Sequence, residues 1–319
     1  AGSREQTPVR TGRLRLGEAG RLLADPEREV DPSGYRCTTS RVFFAPPAES
    51  AAAAALERLL AAMEGGRVRD VVELRWAVSF HRSGLRDQYV FPAHPGTPDA
   101  RPFVGGAAFA GNGELRRYRL EWAGNWIRYA TDELRELGNS LPPETIFAPP
   151  KLVLCQNART LRVALDEEGL ILKDTLLCGR LRDQEHPLCR RPRALVGLLS
   201  SQAIHFLYSH LFEGGHVGAG YLHFLSGPVG ELPVGRWDPE RVEAVAELAA
   251  RRETADPGEW DALEAAMEQH VAAALGLEAH HRAAIAGWAA ADTNWQGRER
   301  VRVRERIGRE RSTGDELSE

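Results

Sequence analysis

Lysine is almost missing from this 319-residue chain. Lys151 and Lys173 are the two lysines, so nearly all of its 41 basic residues are arginine. A GC-rich genome produces the same bias, so arginine dominance alone assigns no ligand. Cysteine is scarce as well. Cys37, Cys155, Cys178 and Cys189 show no C-x-x-C spacing, which argues against zinc ribbons and disulfide scaffolds. Cys155 and Cys178 fall in apolar stretches and read as small buried hydrophobes, in keeping with a reducing cytoplasm. No run of about 18 apolar residues occurs, so neither a transmembrane helix nor a membrane partner is expected. A charged-then-apolar leader is lacking too, and the start Ala1-Gly2-Ser3, without Met, reads as a fragment boundary.

What is present suffices for real cores: 43% of the residues are hydrophobic, and the length suits one large domain or two ordinary ones. The net charge of -4 argues against nucleic acid for the chain as a whole. Its distribution says more. Acidic residues gather in the stretch after Asp238, whereas Arg101 to Arg193 is richer in Arg than in Asp and Glu. A locally basic middle beside an acidic, solvated tail is compatible with a DNA-facing domain.

Residues 1–35 are polar and punctuated by Pro8, Pro26 and Pro32, which reads as loops with one short helix. Ser40–Phe44 is a strand candidate. Ala51 to Met63 is alanine-rich, with Leu56, Leu59, Leu60 and Met63 on one stripe, and predicts a helix stopped by Gly65-Gly66. Val68 to Phe80 alternates as a strand, and Arg82 to Pro102 reads as loop. Arg117–Leu120 and Asn125–Tyr129 predict a strand pair turned at Glu121-Trp122-Ala123-Gly124. Beyond Trp237 the period changes to 3.6: helices start near Pro239, near Pro257 (with Trp260, Leu263, Met267, Val271 and Leu275 on one face, ended by Gly276) and at Glu278. The Arg/Glu-rich end, 296–319, reads as solvated.

Between these parts the order of segments is distinctive. Pro150-Lys151 opens the strand Leu152-Val153-Leu154-Cys155, the polar edge Gln156-Asn157-Ala158-Arg159-Thr160 follows, and Leu161–Leu165 is a second strand. The turn Asp166-Glu167-Glu168-Gly169 leads into Leu170–Leu177. One apolar helix is predicted over 193–212, burying Leu195, Leu198, Leu199, Phe206 and Leu207, and the run closes on Leu232-Pro233-Val234. This succession resembles the TaqI-like specificity domains, the target-recognition parts of adenine-specific DNA methyltransferases and fused restriction-modification enzymes. Such domains carry a Pro-Lys-hydrophobic strand, a D-x-x-G hairpin ending near a Thr, a helix with Leu-Asn-Ser and a Leu-Pro-Ile/Val exit. Here Ser200 stands at the Asn position. Gly105-Gly106-Ala107-Ala108-Phe109, the 117–129 pair and Leu275–His281 resemble the entry, the hairpin and the helical tail of the same class.

The resemblance implies an α+β fold: a mixed or antiparallel sheet carrying a target-recognition domain over residues 65–235, with a helical subdomain at 236–295 and a charged tail at 296–319. Residues 1–64 would be an N-terminal segment, the end of a methyltransferase domain. It also implies a partner, double-stranded DNA. The amides of Gln156 and Asn157 suit adenine edges, and Arg159 suits guanine or phosphate, with Thr160 beside them; solvated turn residues are the alternative. Lys151, Arg117, Arg162 and Lys173 are the candidates for backbone phosphate.

Catalysis on a flipped adenine needs a polar residue before Pro-Pro-aromatic. Pro46-Pro47, Pro142-Pro143 and Pro149-Pro150 have neither the polar residue nor the ring. A glycine-rich cofactor turn after a strand is missing as well. The expectation is a recognition module without its own cofactor. S-adenosylmethionine would then sit in a methyltransferase catalytic domain, fused or separate. A structural or protein-interaction subunit of a defence complex is the competing reading. The glycines of 214–220 lack the Lys-Ser/Thr of a phosphate loop, and His205, His210, His216 and His223 lack the i, i+3 or i, i+4 spacing of a helical zinc site.

Overall fold

The computed structural model describes residues 49–81, 84–105, 114–139, 141–212 and 221–299, with the backbone of the strands Val9–Leu16, Leu22–Val30, Arg36–Cys37, Phe43–Phe44 and His216–Val217. At its centre is a four-stranded antiparallel sheet in the order Val163–Asp166, Lys151–Cys155, Leu176–Leu181, Val72–Trp76. The run Leu152-Val153-Leu154-Cys155 is apolar at every position because the strand is buried on both faces. Gly179 is a necessity of this packing: a Cβ there would stand 2.9 Å from the Leu152 Cβ. A second, mixed sheet has the order Ile171–Leu172, Ala100–Val104, Trp126–Arg128, Val90–Phe91, its first pair parallel and the others antiparallel. A third, antiparallel, joins Asn157–Ala158, Tyr221–His223 and His216–Val217. The fold is α+β with mixed and antiparallel sheets.

One ion pair fixes the central sheet. Lys151 and Asp166 face each other in register, the Lys151 ammonium donates to an Asp166 carboxylate oxygen and, at 2.8 Å, to the Phe147 carbonyl, and neither side chain keeps measurable surface. Asp166 also accepts from the backbone N–H groups of Glu168 (2.8 Å), Gly169 (3.2 Å) and Leu170 (2.9 Å), which closes the turn, and Gly169 supplies its φ of +81°. Lys151 is therefore no phosphate contact. A cation with no exposed atom has its counter-ion inside the fold.

The helix expected over 193–212 is two helices, Pro192–Leu199 and Gln202–Leu211. Ser201 leaves the helical region, and its hydroxyl accepts from the Ile204 N–H at 3.2 Å, starting a new helix as an N-cap. Leu195, Leu198, Leu199, Phe206 and Leu207 are all buried. The Arg117–Leu120 strand is replaced by a tight turn: Arg116 donates to the Arg119 carbonyl at 2.9 Å, and Tyr118 takes a φ of 68°, held by its N–H on Val163 at 2.9 Å. Trp126–Arg128 pairs with Ala100–Val104 and Val90–Phe91, in the region 82–102 that read as loop and that also holds the helix Leu85–Tyr89. Val68–Val71 is a helical turn before the strand Val72–Trp76. In the N-terminal segment, Val9–Leu16 and Leu22–Val30 form an antiparallel pair where loops were expected. Residues 300–319, most of the glycine-rich 213–220 stretch and 106–113 lie outside the described residues.

The C-terminal helices Pro239–Thr254, Trp260–Ala274 and Ala279–Ala291 pack on the two helices of the central region. Gly197 permits this approach, since a Cβ there would lie 2.6 Å from the Val245 Cγ1. Asp238 caps the first of them through the Arg241 N–H at 2.8 Å, with Pro239 at the first helical position. Gly276, with φ +69°, ends the second, where the Leu277 N–H reaches the Ala272 carbonyl at 2.7 Å. Between tail and sheet lies a buried charge network. Arg117, 2% exposed, bonds both oxygens of Glu264 at 3.0 Å, Glu299 at 2.8 Å and the Ser200 carbonyl at 2.8 Å. Arg252 joins Glu264 and Glu299, each at 2.8 Å, and covers the Trp260 ring. Desolvation raises the Glu264 carboxyl, but Arg117 and Arg252 outweigh it and hold it below its usual value. Arg117 is thus a core residue, withdrawn from any phosphate.

Removing one member of a buried pair strands the other. Lys151→Met should cost about 3–5 kcal/mol, measured by urea denaturation. Glu268, beside Glu264, is pushed up to about 7 by desolvation, against the Gln202 N–H it accepts. An acid whose folded value lies above its unfolded one weakens the fold once ionised, so its contribution declines as pH rises from about 4.5 to about 7. Glu268→Gln keeps the acceptor and removes the charge. The variant should melt higher than the wild type at pH 8 and equally at pH 4; equal melting at both would disprove the shift.

Candidate nucleic-acid interface

The two ends of the central sheet differ in how their charges are used. At one end stand Lys151 with Asp166 and Arg180 with Glu73, while Arg75, next to Trp76 in the edge strand, reaches back to the same Glu73. At the other end Cys155 lies opposite Leu176, and Leu177 opposite Trp76. From there the polar edge predicted as a DNA contact departs.

Gln156 does not face solvent. It is 5% exposed, its N–H donates to the Thr175 carbonyl at 3.1 Å, its amide donates to the Asp174 carbonyl, and its own carbonyl accepts from Phe224 at 2.7 Å. It is a brace that ties the polar edge to the 173–175 turn. Thr160 and Arg162 are buried as well, and the Arg162 backbone closes on Cys155. These three, like Lys151 and Arg117, belong to the interior.

Asn157 and Arg159 keep surface. Asn157 pairs with His223 in the third sheet. Arg159 lies over the Tyr221 ring, 5.6 Å from its centre, and reaches Asn294 at 3.4 Å in the short helix Thr293–Gln296. Lys173 is half-buried. Its backbone bonds Val104 while its stem lies on Gly105, where a Cβ would come within 2.5 Å of the Lys173 Cβ and where φ is +101°. Desolvation lowers the Lys173 ammonium, Asp174 raises it and the neighbouring Arg86 lowers it again.

Two residues of this end escaped the sequence reading. Arg86 sits on the helix Leu85–Tyr89, whose buried Leu85 and Tyr89, four apart after Gly84, are the helical signal within a supposed loop. Trp76 is 52% exposed although it shares the alternation phase of Val72 and Leu74; it closes an edge strand, and nothing in the sequence marks that. The end of the sheet thus presents an exposed indole, an amide, and three cations without a carboxylate partner among the described residues. Such a set suits contact with an anionic polymer bearing flat, hydrogen-bonding bases.

Two of the helical histidines are taken up in packing contacts. His205 is sealed on Asp292 at 2.8 Å and stacked on Trp295, and His210 turns to the Phe206 carbonyl. Among the described residues, no group of His, Cys, Asp or Glu could hold a metal ion. No described helix is long and apolar enough to cross a membrane.

Comparison with known proteins agrees in the region that carries this edge. A solved structure of the type IIL restriction-modification enzyme MmeI in complex with DNA is similar at 11% identity with a TM-score of 0.44, over 87% of this chain. The chain spans 40% of that enzyme's chain. No curated protein matches. The family model described as the TaqI-like C-terminal specificity domain matches residues 107–234, from before the 126–128 strand through the Leu232-Pro233-Val234 exit.

Proposed function

We propose that the chain is the target-recognition module of a bacterial restriction-modification system, holding duplex DNA for an adenine-specific methyltransferase. The match of residues 107–234 to the TaqI-like specificity family carries this reading. The unpaired cations and exposed indole at one end of the sheet support it. Asn157 and Arg159 would read base edges, and Lys173 would hold backbone phosphate. Residues 65–235 would form the specificity domain and 236–295 its helical subdomain. The methyl donor, S-adenosylmethionine, would be bound by a catalytic domain, fused or separate, and the setting would be cytoplasmic phage defence.

Filter binding with cognate and scrambled duplexes, each at two salt concentrations, tests the reading. Retention should fall steeply with salt, because phosphate contacts release counter-ions. Asn157→Ala should cost about 1–3 kcal/mol for the cognate site and nothing for the scrambled one. Absence of retention at low salt would favour the competing interaction subunit, a reading to which the burial of five predicted contacts lends weight.

A further inference from the structure

Resting on the duplex-DNA reading, we infer that Arg86 and Lys173 together form one phosphate site, a two-cation clamp floored by Gly105. Three observations carry it. First, neither side chain meets a carboxylate among the described residues, although most arginines around them are ion-paired. Asp174, which raises the Lys173 ammonium, accepts from the Ser79 hydroxyl at 2.6 Å, and the buried Glu114 accepts from the Gly105 N–H at 2.7 Å.

Second, among the described residues the buried Arg86 Nε has no hydrogen-bond partner, and its Nη2 has only a long contact of 3.4 Å to the Gly105 carbonyl. A buried donor left unsatisfied costs about 1–3 kcal/mol. Two like charges held close together add to that cost. An arrangement that weakens the free protein in both ways gains from an anion, which satisfies the donor and separates the charges electrostatically. Third, the floor is shaped for close approach. Gly105 has φ +101° and no room for a Cβ, so the Lys173 stem lies against its backbone, whose carbonyl the Arg86 Nη2 approaches at 3.4 Å.

Position selects a phosphodiester. Gln156 bonds Asp174 and Thr175, so Lys173 and the edge residues Asn157 and Arg159 share one rigid end of the sheet. A phosphate clamped at Lys173 would set the register in which Asn157 meets a base, since backbone contacts position what base contacts then specify.

The test uses the full chain with Arg86→Met, Lys173→Met and the double variant. Salt dependence of duplex binding is followed by fluorescence anisotropy, and melting is measured without ligand. One shared phosphate predicts that each single variant lowers the salt slope by up to about 0.9, and that the double variant lowers it by no more than about 0.9. Both single variants should melt at or above the wild-type temperature, because each removes an uncompensated charge. Wild-type slopes in all variants overturn the site, as does a double variant that loses two contacts, which would mean separate phosphates. A lowered melting temperature would make the pair structural and overturn it too. Melting raised by inorganic phosphate at matched ionic strength, abolished by Arg86→Met while DNA slopes stay unchanged, assigns the site to free phosphate instead. A wild type that binds no duplex at low salt fails the recognition reading itself, a result distinct from any of these.

Discussion

The buried pair of Lys151 with Asp166 is the constraint on which the rest of the recognition region depends. It joins two sequence signals that look independent, the Pro-Lys opening of one strand and the D-x-x-G turn at the end of the next. Both are halves of one contact: the lysine neutralises the aspartate, and the aspartate's oxygens gather three backbone N–H groups of the turn. A buried ion pair is weak support for stability but strong support for register, because a slip by one residue would leave two charges unpaired in the core. With Asp166 locked opposite Lys151, Val163 falls opposite Leu154 and Cys155 opposite Leu176. That alignment decides where Gln156 leaves the sheet, and hence where Asn157 and Arg159 emerge.

A division of labour among the cations follows. The arginine-rich middle of the sequence suggests a basic face, yet the fold uses many of those arginines internally. Arg117 and Arg252 enclose Glu264 and Glu299 and weld the helical tail to the sheet. Arg67 and Arg69 share Glu231, beside the Leu232-Pro233-Val234 exit that itself returns to bond Gly66 and Val68. Arg86, Arg159 and Lys173, near one end of the central sheet, have no ion pair with a carboxylate among the described residues. The overall charge of -4 therefore says little about ligand, since a small unpaired set placed together sets the local potential.

Legibility followed the physics of each signal. Continuous apolar runs gave the central strands, and the 3.6 period gave the tail helices with Leu263, Met267, Val271 and Leu275 inward, because periodicity directly reports which face is covered. The α+β class was legible for the same reason. Whether a lysine or arginine faces solvent was not, because that depends on a partner far along the chain: Asp166 for Lys151, Glu264 for Arg117. Lys151 and Lys173 look alike in sequence, each at the edge of an apolar strand, and only the presence of Asp166 opposite one of them separates core from surface. The break at Ser200-Ser201 was written in the sequence as a serine cap inside an apolar run, but the run's hydrophobicity concealed it. The motif in which Ser200 replaces Asn marks that break: Ser200 ends one helix and lends its carbonyl to Arg117, and Ser201 starts the next.

The same break couples the helical tail to the recognition edge. Arg117 holds the Ser200 carbonyl with one nitrogen and Glu264 and Glu299 with the other, so the bend between the two central helices is set by a residue of the specificity region and by two carboxylates of the tail. Arg159, at the edge, leans on Asn294 and lies close over Gly297, where a Cβ would stand 2.8 Å from the Arg159 Cδ. The tail therefore supports the edge from behind at two separate points. Such support pre-orders the arginine, since a side chain already held over Tyr221 loses less freedom in any contact it makes. On this argument the helical tail orders Arg159 at the edge of the sheet.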